Sequence, residues 1–171
     1  FRTEEGATWY HEGTPFGLLP VLFIGDHTTL PQSLAIGRYL SRLAGLEGDS
    51  LLEKAKNDVL IQQGEDILTF FAKAHYSDNK KQNLDEFFDS KLPLILTQLE
   101  KLMEGDTFFA HGKLTTGDLA IFAILDILFV VEPKIVDNHS KLSSLYQKVL
   151  ENPRVKALSS DETLVKFYSR Q

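Results

Sequence analysis

The chain has 171 residues, 43% apolar and 25% charged, enough to bury a core in one medium domain or two small ones. Its net charge of −6 supplies no broad basic surface to neutralise phosphates, which argues against nucleic acid as the main partner, and no polybasic run addresses a membrane. The absence of cysteine excludes disulfides, zinc thiolate sites and a cysteine nucleophile from this chain.

The opening Phe1-Arg2-Thr3-Glu4-Glu5 has neither an initiator Met nor a basic segment followed by an apolar signal region, and it reads as a chain joined midway. A cytoplasmic location is the expectation. Residues 1 to 13 are polar around Trp9, Tyr10 and His11 and predict a loop. Thr14 to Ser33 carries the first strong pattern. Pro15 and Pro20 bracket Phe16-Gly17-Leu18-Leu19, and the apolar Val21-Leu22-Phe23-Ile24 follows. A proline at that junction marks either a plain strand start or a cis bond in a tight turn; in the second case Leu19 offers its backbone to an extended, peptide-like ligand. Gly25-Asp26-His27 separates this run from Thr28 to Leu30, which predicts a hairpin. Ser33 then opens a helix carrying Leu34, Ile36, Leu40 and Leu43 and stopped by Gly45. Its N-terminus suits a carboxylate, with Gln32 adding an amide donor; the plain alternative is an ordinary Ser cap.

Gly45 to Asp49 reads as a linker between residues 1–45 and an all-helical part, 50–171. Ser50-Leu51-Leu52-Glu53 is a capping-box pattern that opens a long helix to about Ala74, with Asp58, Gln62, Glu65 and Asp66 on one side and Val59, Ile67, Phe70 and Phe71 as apolar contacts. Asp78 to Asn83 predicts a polar loop. Leu84 to Met103 predicts a second long helix, kinked at Pro93. Thr115-Thr116-Gly117-Asp118 caps the apolar run from Leu119 to Val131; that run is too short for a membrane span and is interrupted by Asp126, so it predicts a central core helix. The expected role of Asp118 is structural, as an N3 acid that returns the Thr115 cap. Asp126 is expected to be a satisfied polar group within the core. A Leu142, Leu145, Tyr146, Val149, Leu150 stripe and a short helix after Asn152-Pro153 complete the chain. The five histidines show no metal-ligand spacing, so no metal site is expected.

Two motifs together resemble the glutathione transferases: Thr14-Pro15-Phe16-Gly17 through Pro20-Val21-Leu22 with Gln32-Ser33-Leu34-Ala35-Ile36 and Arg38-Tyr39-Leu40, and the Thr115 to Asp118 cap before an apolar helix. The wording is most similar to the sigma class, which includes glutathione-dependent prostaglandin D synthase, detoxifying transferases and the lens S-crystallins. The resemblance implies an α+β two-domain fold, a thioredoxin-like glutathione-binding domain truncated here and then an all-helical domain, assembled as a homodimer. It implies that glutathione is the co-substrate, acting as thiolate on a small apolar electrophile. Leu19, before a cis Pro20, would pair with the cysteinyl unit. Gln32 and Ser33 would hold the γ-glutamyl carboxylate, Trp9 would pack near the glycyl end, and Asp66 would reach the γ-glutamyl amine in the partner subunit's site. Leu68, Phe71 and Ile127 are the expected electrophile walls. The family's thiol-activating tyrosine, on a first strand, has no counterpart here, so no catalytic residue is assigned. The expected enzyme is the complete protein, and a non-catalytic S-crystallin-like or ligand-binding protein of the same fold is the alternative.

Overall fold

The computed structural model describes residues 13–110 and 112–159. The chain divides into two units between Glu47 and Gly48.

In the first unit, strand β1 (Val21–Ile24) pairs antiparallel with β2 (Thr28–Pro31). Gly25 makes the reversal with φ 59, a left-handed conformation that costs glycine little. The register sets Val21 opposite Pro31 and Ile24 opposite Thr28. Helix α1 (Ser33–Ala44) follows at once. It ends as the sequence predicts, at Gly45 with φ 67, where Gly45 N–H donates to the Arg42 carbonyl and Leu46 N–H to the Ser41 carbonyl.

The second unit is entirely helical. Helix α2 (Leu51–His75) begins with both halves of the predicted capping box: Ser50 Oγ accepts from Glu53 N–H at 3.1 Å, and the Glu53 carboxylate accepts from Ser50 N–H at 2.8 Å. Its buried stripe runs through Asn57, Leu60, Gly64, Ile67, Phe71 and Ala74, the three-and-four spacing of one helix face. Val59, expected among the apolar contacts, is 57% exposed instead, because it lies off this stripe.

The next helix starts earlier than its apolar pattern suggests. Helix α3 (Lys80–Glu86) opens on Lys80, Lys81, Gln82 and Asn83, a polar turn with none of the four buried, which carries no apolar periodicity to announce it. A π turn, Phe87–Lys91, joins it to α4 (Leu92–Leu102). Pro93 has no N–H to give and its ring crowds the preceding turn; the wider turn comes directly before it, with Leu92 N–H donating to the Phe87 carbonyl five residues back. Phe88, Leu92, Leu96, Leu99 and Met103 are buried along this run, as expected.

Helix α5 (Thr116–Phe129) is the apolar centre, with Ile121, Leu125 and Leu128 fully buried, and it packs along α2 and α6 (Ser140–Leu150). Helix α7 (Pro153–Ser159) closes the described chain. Its Val155 leans on the core while Leu158 stays exposed. Asp126 is satisfied as expected, though half-buried rather than within the core, accepting from the Tyr146 hydroxyl at 2.7 Å and the Ser159 hydroxyl at 2.5 Å. No helix among the described residues is long and apolar enough to cross a membrane.

Candidate functional site

The hairpin brings the two halves of the Thr14 to Ser33 motif to one end. Val21 and Pro31 are register partners, so the residues just outside them, Leu19-Pro20 before β1 and Gln32-Ser33 after β2, flank the same open end of the ribbon. Leu19, Pro20, Gln32 and Ser33 are all exposed there, and the Leu19–Pro20 peptide is cis. A turn in which Gly17 N–H donates to the Thr14 carbonyl at 3.2 Å leads the chain into this end, with Thr14 itself buried.

Gln32 holds φ 76, the left-handed region that a non-glycine residue rarely occupies. Such strain persists where the surroundings over-determine it, and it clusters at ligand clamps. The sequence marks Gln32 as an amide donor and carries no signal for its backbone. The structure also corrects the plain reading of Ser33. Ser33 is the first helical residue rather than the cap; Gln32 stands at the cap and gives no side-chain hydrogen bond to the helix. The first turn of α1 contains no acidic residue, while Arg42 lies in its last turn. An anion at this N-terminus therefore meets unopposed N–H dipoles and no repelling carboxylate within the turn.

In the second unit, Asp66 is exposed on α2 and accepts a long 3.4 Å hydrogen bond from Gln62. Leu68 and Ile127 are half-buried against the core. Phe71 is 1% exposed and packed among Phe87, Phe88 and His75, with ring centres 5.4 to 6.2 Å apart, so it offers no accessible surface of its own. Trp9 lies outside the described residues. Among the described residues no group of three or more His, Cys, Asp or Glu is placed to hold a metal ion.

Two features of this unit carry no sequence signal strong enough to single them out. One is Asn57, 4% exposed, whose Oδ1 accepts from the Gly117 N–H of α5 at 2.6 Å. The only hint is a polar residue in phase with the apolar stripe. The other is a groove of about 580 Å³ whose lining includes Lys56, Val59, Leu60, Leu102 and Phe109, with Val59 and Leu102 more than half exposed.

The Thr115 to Asp118 cap is as expected. Asp118 is wholly buried; Oδ1 accepts from Phe109 N–H at 2.9 Å, and Oδ2 accepts from Thr115 N–H and from the Thr115 hydroxyl, each at 2.7 Å. Burial pushes its carboxyl above the usual carboxylate range, against the opposing pull of these hydrogen bonds.

Residues 65–161 match the family model described as "Glutathione S-transferase, C-terminal domain". The chain is 31% identical over 142 residues to hematopoietic prostaglandin D synthase of Homo sapiens, covering 82% of this chain and 71% of that protein. It is 32% identical over 154 residues to glutathione S-transferase 2 of Manduca sexta, covering 86% and 75%. Its fold matches the solved structure of the pi-class glutathione S-transferase of Onchocerca volvulus with a TM-score of 0.83 at 26% identity, over 91% of this chain and 76% of that one. The hairpin, the cap ahead of the apolar helix and these relationships agree on one assignment: the chain belongs to the glutathione S-transferase family.

Proposed function

We propose that this chain binds glutathione at the open end of its hairpin, as part of a sigma class-like transferase that directs the glutathione thiolate at small apolar electrophiles in detoxification. The observation that carries the reading is the register pairing of Val21 with Pro31, which sets Leu19-Pro20 beside Gln32-Ser33. In this reading the Leu19 backbone pairs with the cysteinyl unit next to Pro20, as a strand edge pairs with a peptide. Gln32 and Ser33 hold the γ-glutamyl carboxylate at the start of α1. Trp9 packs near the glycyl end. Asp66 meets the γ-glutamyl ammonium in the site of a partner subunit, where an opposite charge gives a charge-assisted hydrogen bond. Leu68 and Ile127 wall the electrophile pocket, and Phe71 supports them from the core. None of these residues activates the sulfur; they bind and orient the tripeptide.

The partner is proposed to be a second copy of this chain. The groove between the first turns of α2 and the end of α4 supports that assembly, since Val59 and Leu102 leave apolar surface uncovered at its rim.

Calorimetric titration with glutathione tests the site. Ser33→Ala should weaken binding by about 1.5 to 3 kcal/mol, roughly ten- to a hundredfold, the range for losing a hydrogen bond to a charged group. Unchanged affinity in both Ser33→Ala and Gln32→Ala would remove the cradle. Thioether formation from 1-chloro-2,4-dinitrobenzene tests the chemistry, and glutathione binding without turnover would leave a binding protein rather than a transferase. Sedimentation at the titration concentration reads the dimer.

A further inference from the structure

Helix α2 packs against α5 through apolar contacts and a buried side-chain hydrogen bond. Most of its buried stripe is apolar, and apolar contacts such as those of Leu60 and Ile67 are not directional. The Asn57 contact is directional. Its Oδ1 accepts from Gly117 N–H at 2.6 Å, and that N–H is one of the donors a helix N-terminus cannot satisfy within itself. The helices also approach closely at the next turns. A Cβ on Gly117 would lie 2.8 Å from the Leu60 Cβ, and a Cβ on Gly64 would lie 3.5 Å from the Ala120 carbonyl oxygen. A buried asparagine at an otherwise apolar contact position is a known means of selecting one register, because every other register strands a polar group.

Helical geometry links this pin to Asp66. At about 100° per residue, the nine residues from Asn57 to Asp66 amount to two and a half turns, so the two side chains leave the helix on opposite sides. Gly64 lies about 20° from Asn57 around the axis and faces α5, where an added Cβ would meet Ala120 at ordinary contact distance. With that face held to the core, Asp66 points outward, where it is exposed.

We propose that Asn57 is a positioning residue that sets the direction of Asp66 by pinning the rotation of α2 on α5. The inference rests on the glutathione role proposed for Asp66. It is tested by glutathione titration of the full chain and its variants, with circular dichroism confirming that each is folded. Asp66→Ala should raise Kd about tenfold and Asn57→Ala about fivefold. Asn57→Asp, which keeps an acceptor oxygen at the same place, should stay within twofold of the parent. Asn57→Leu serves as a second, well-packed loss of the acceptor and should behave as Asn57→Ala does. The decisive measurement is the double variant Asn57→Ala with Asp66→Ala, which should bind no more weakly than Asp66→Ala alone. A further fivefold loss in the double variant would show that Asn57 acts independently of Asp66 and would overturn the proposal, as would parental affinity in both Asn57→Ala and Asn57→Leu. Parental affinity in Asp66→Ala would instead remove the role of Asp66 itself, and the positioning role with it.

Discussion

His75, at the end of α2, sits between the rings of Phe71 and Tyr76, with centroids 5.4 and 5.0 Å away, and its buried Nδ1 has no hydrogen-bond partner among the described residues. Burial, with the Lys80 charge behind it, holds this imidazole below its ordinary value, because the charged form is disfavoured where it cannot be solvated. The folded chain therefore binds fewer protons at this site than the unfolded chain just below about pH 6.5. Stability from this group is present above that pH and is lost as pH falls through the lower folded-state value. Melting temperature measured between about pH 7 and 5 should decline, and His75→Gln should flatten the decline; parallel profiles for the two proteins would refute the assignment. Asp118 has the opposite sign. Its raised value stabilises the fold below the unfolded carboxylate range, and that contribution is lost as pH rises through its folded-state value. The structural role of Asp118 was legible because a capping box is a local pattern of four residues. The burial of Phe71 was not, since helix periodicity gives a face without saying whether that face meets a pocket or another helix.

Among the elements, α2 and α5 make the most extensive contact. Gly117→Ala would set a Cβ 2.8 Å from two Leu60 carbons and 3.2 Å from the Asn57 carbonyl oxygen, so it should destabilise the chain by about 2 kcal/mol, in the range of core overpacking. Gly64→Ala meets only ordinary contacts and gains helix propensity, so it should be neutral or stabilising by up to about 1 kcal/mol. Denaturant midpoints of the two variants check the contrast; equal shifts would mean that the helices adjust and that the seam is looser than it looks. The capping boxes, the Gly45 stop and the hairpin were readable because each depends on neighbours within a few residues. The π turn and the early start of α3 were not. One answers a clash between Pro93 and the preceding turn, and the other is a polar turn with no apolar period of its own.

For the molecule as a whole, the buried apolar cluster runs from Leu60 to Val149 and lies entirely in the second unit. A fragment from Gly48 to Gln171 should therefore fold by itself with a single cooperative melt, followed by circular dichroism. A broad transition without a baseline would show that it depends on the first unit. Family membership was legible because the motif of Thr14 to Ser33 is specific, and the register that gathers its two halves comes from a hairpin only four residues deep. In the first unit the described residues bury no large apolar side chain below a tenth of its surface; the buried ones are Thr14 and Ser41. If the proposed cradle holds glutathione, an end so lightly anchored would gain much of its order from that ligand. A ligand spanning the hairpin end at a hundred times its dissociation constant would add about 2.7 kcal/mol to the cost of opening it. Occupancy would then set the hydrogen-exchange lifetime of these amides, and that lifetime would report saturation directly.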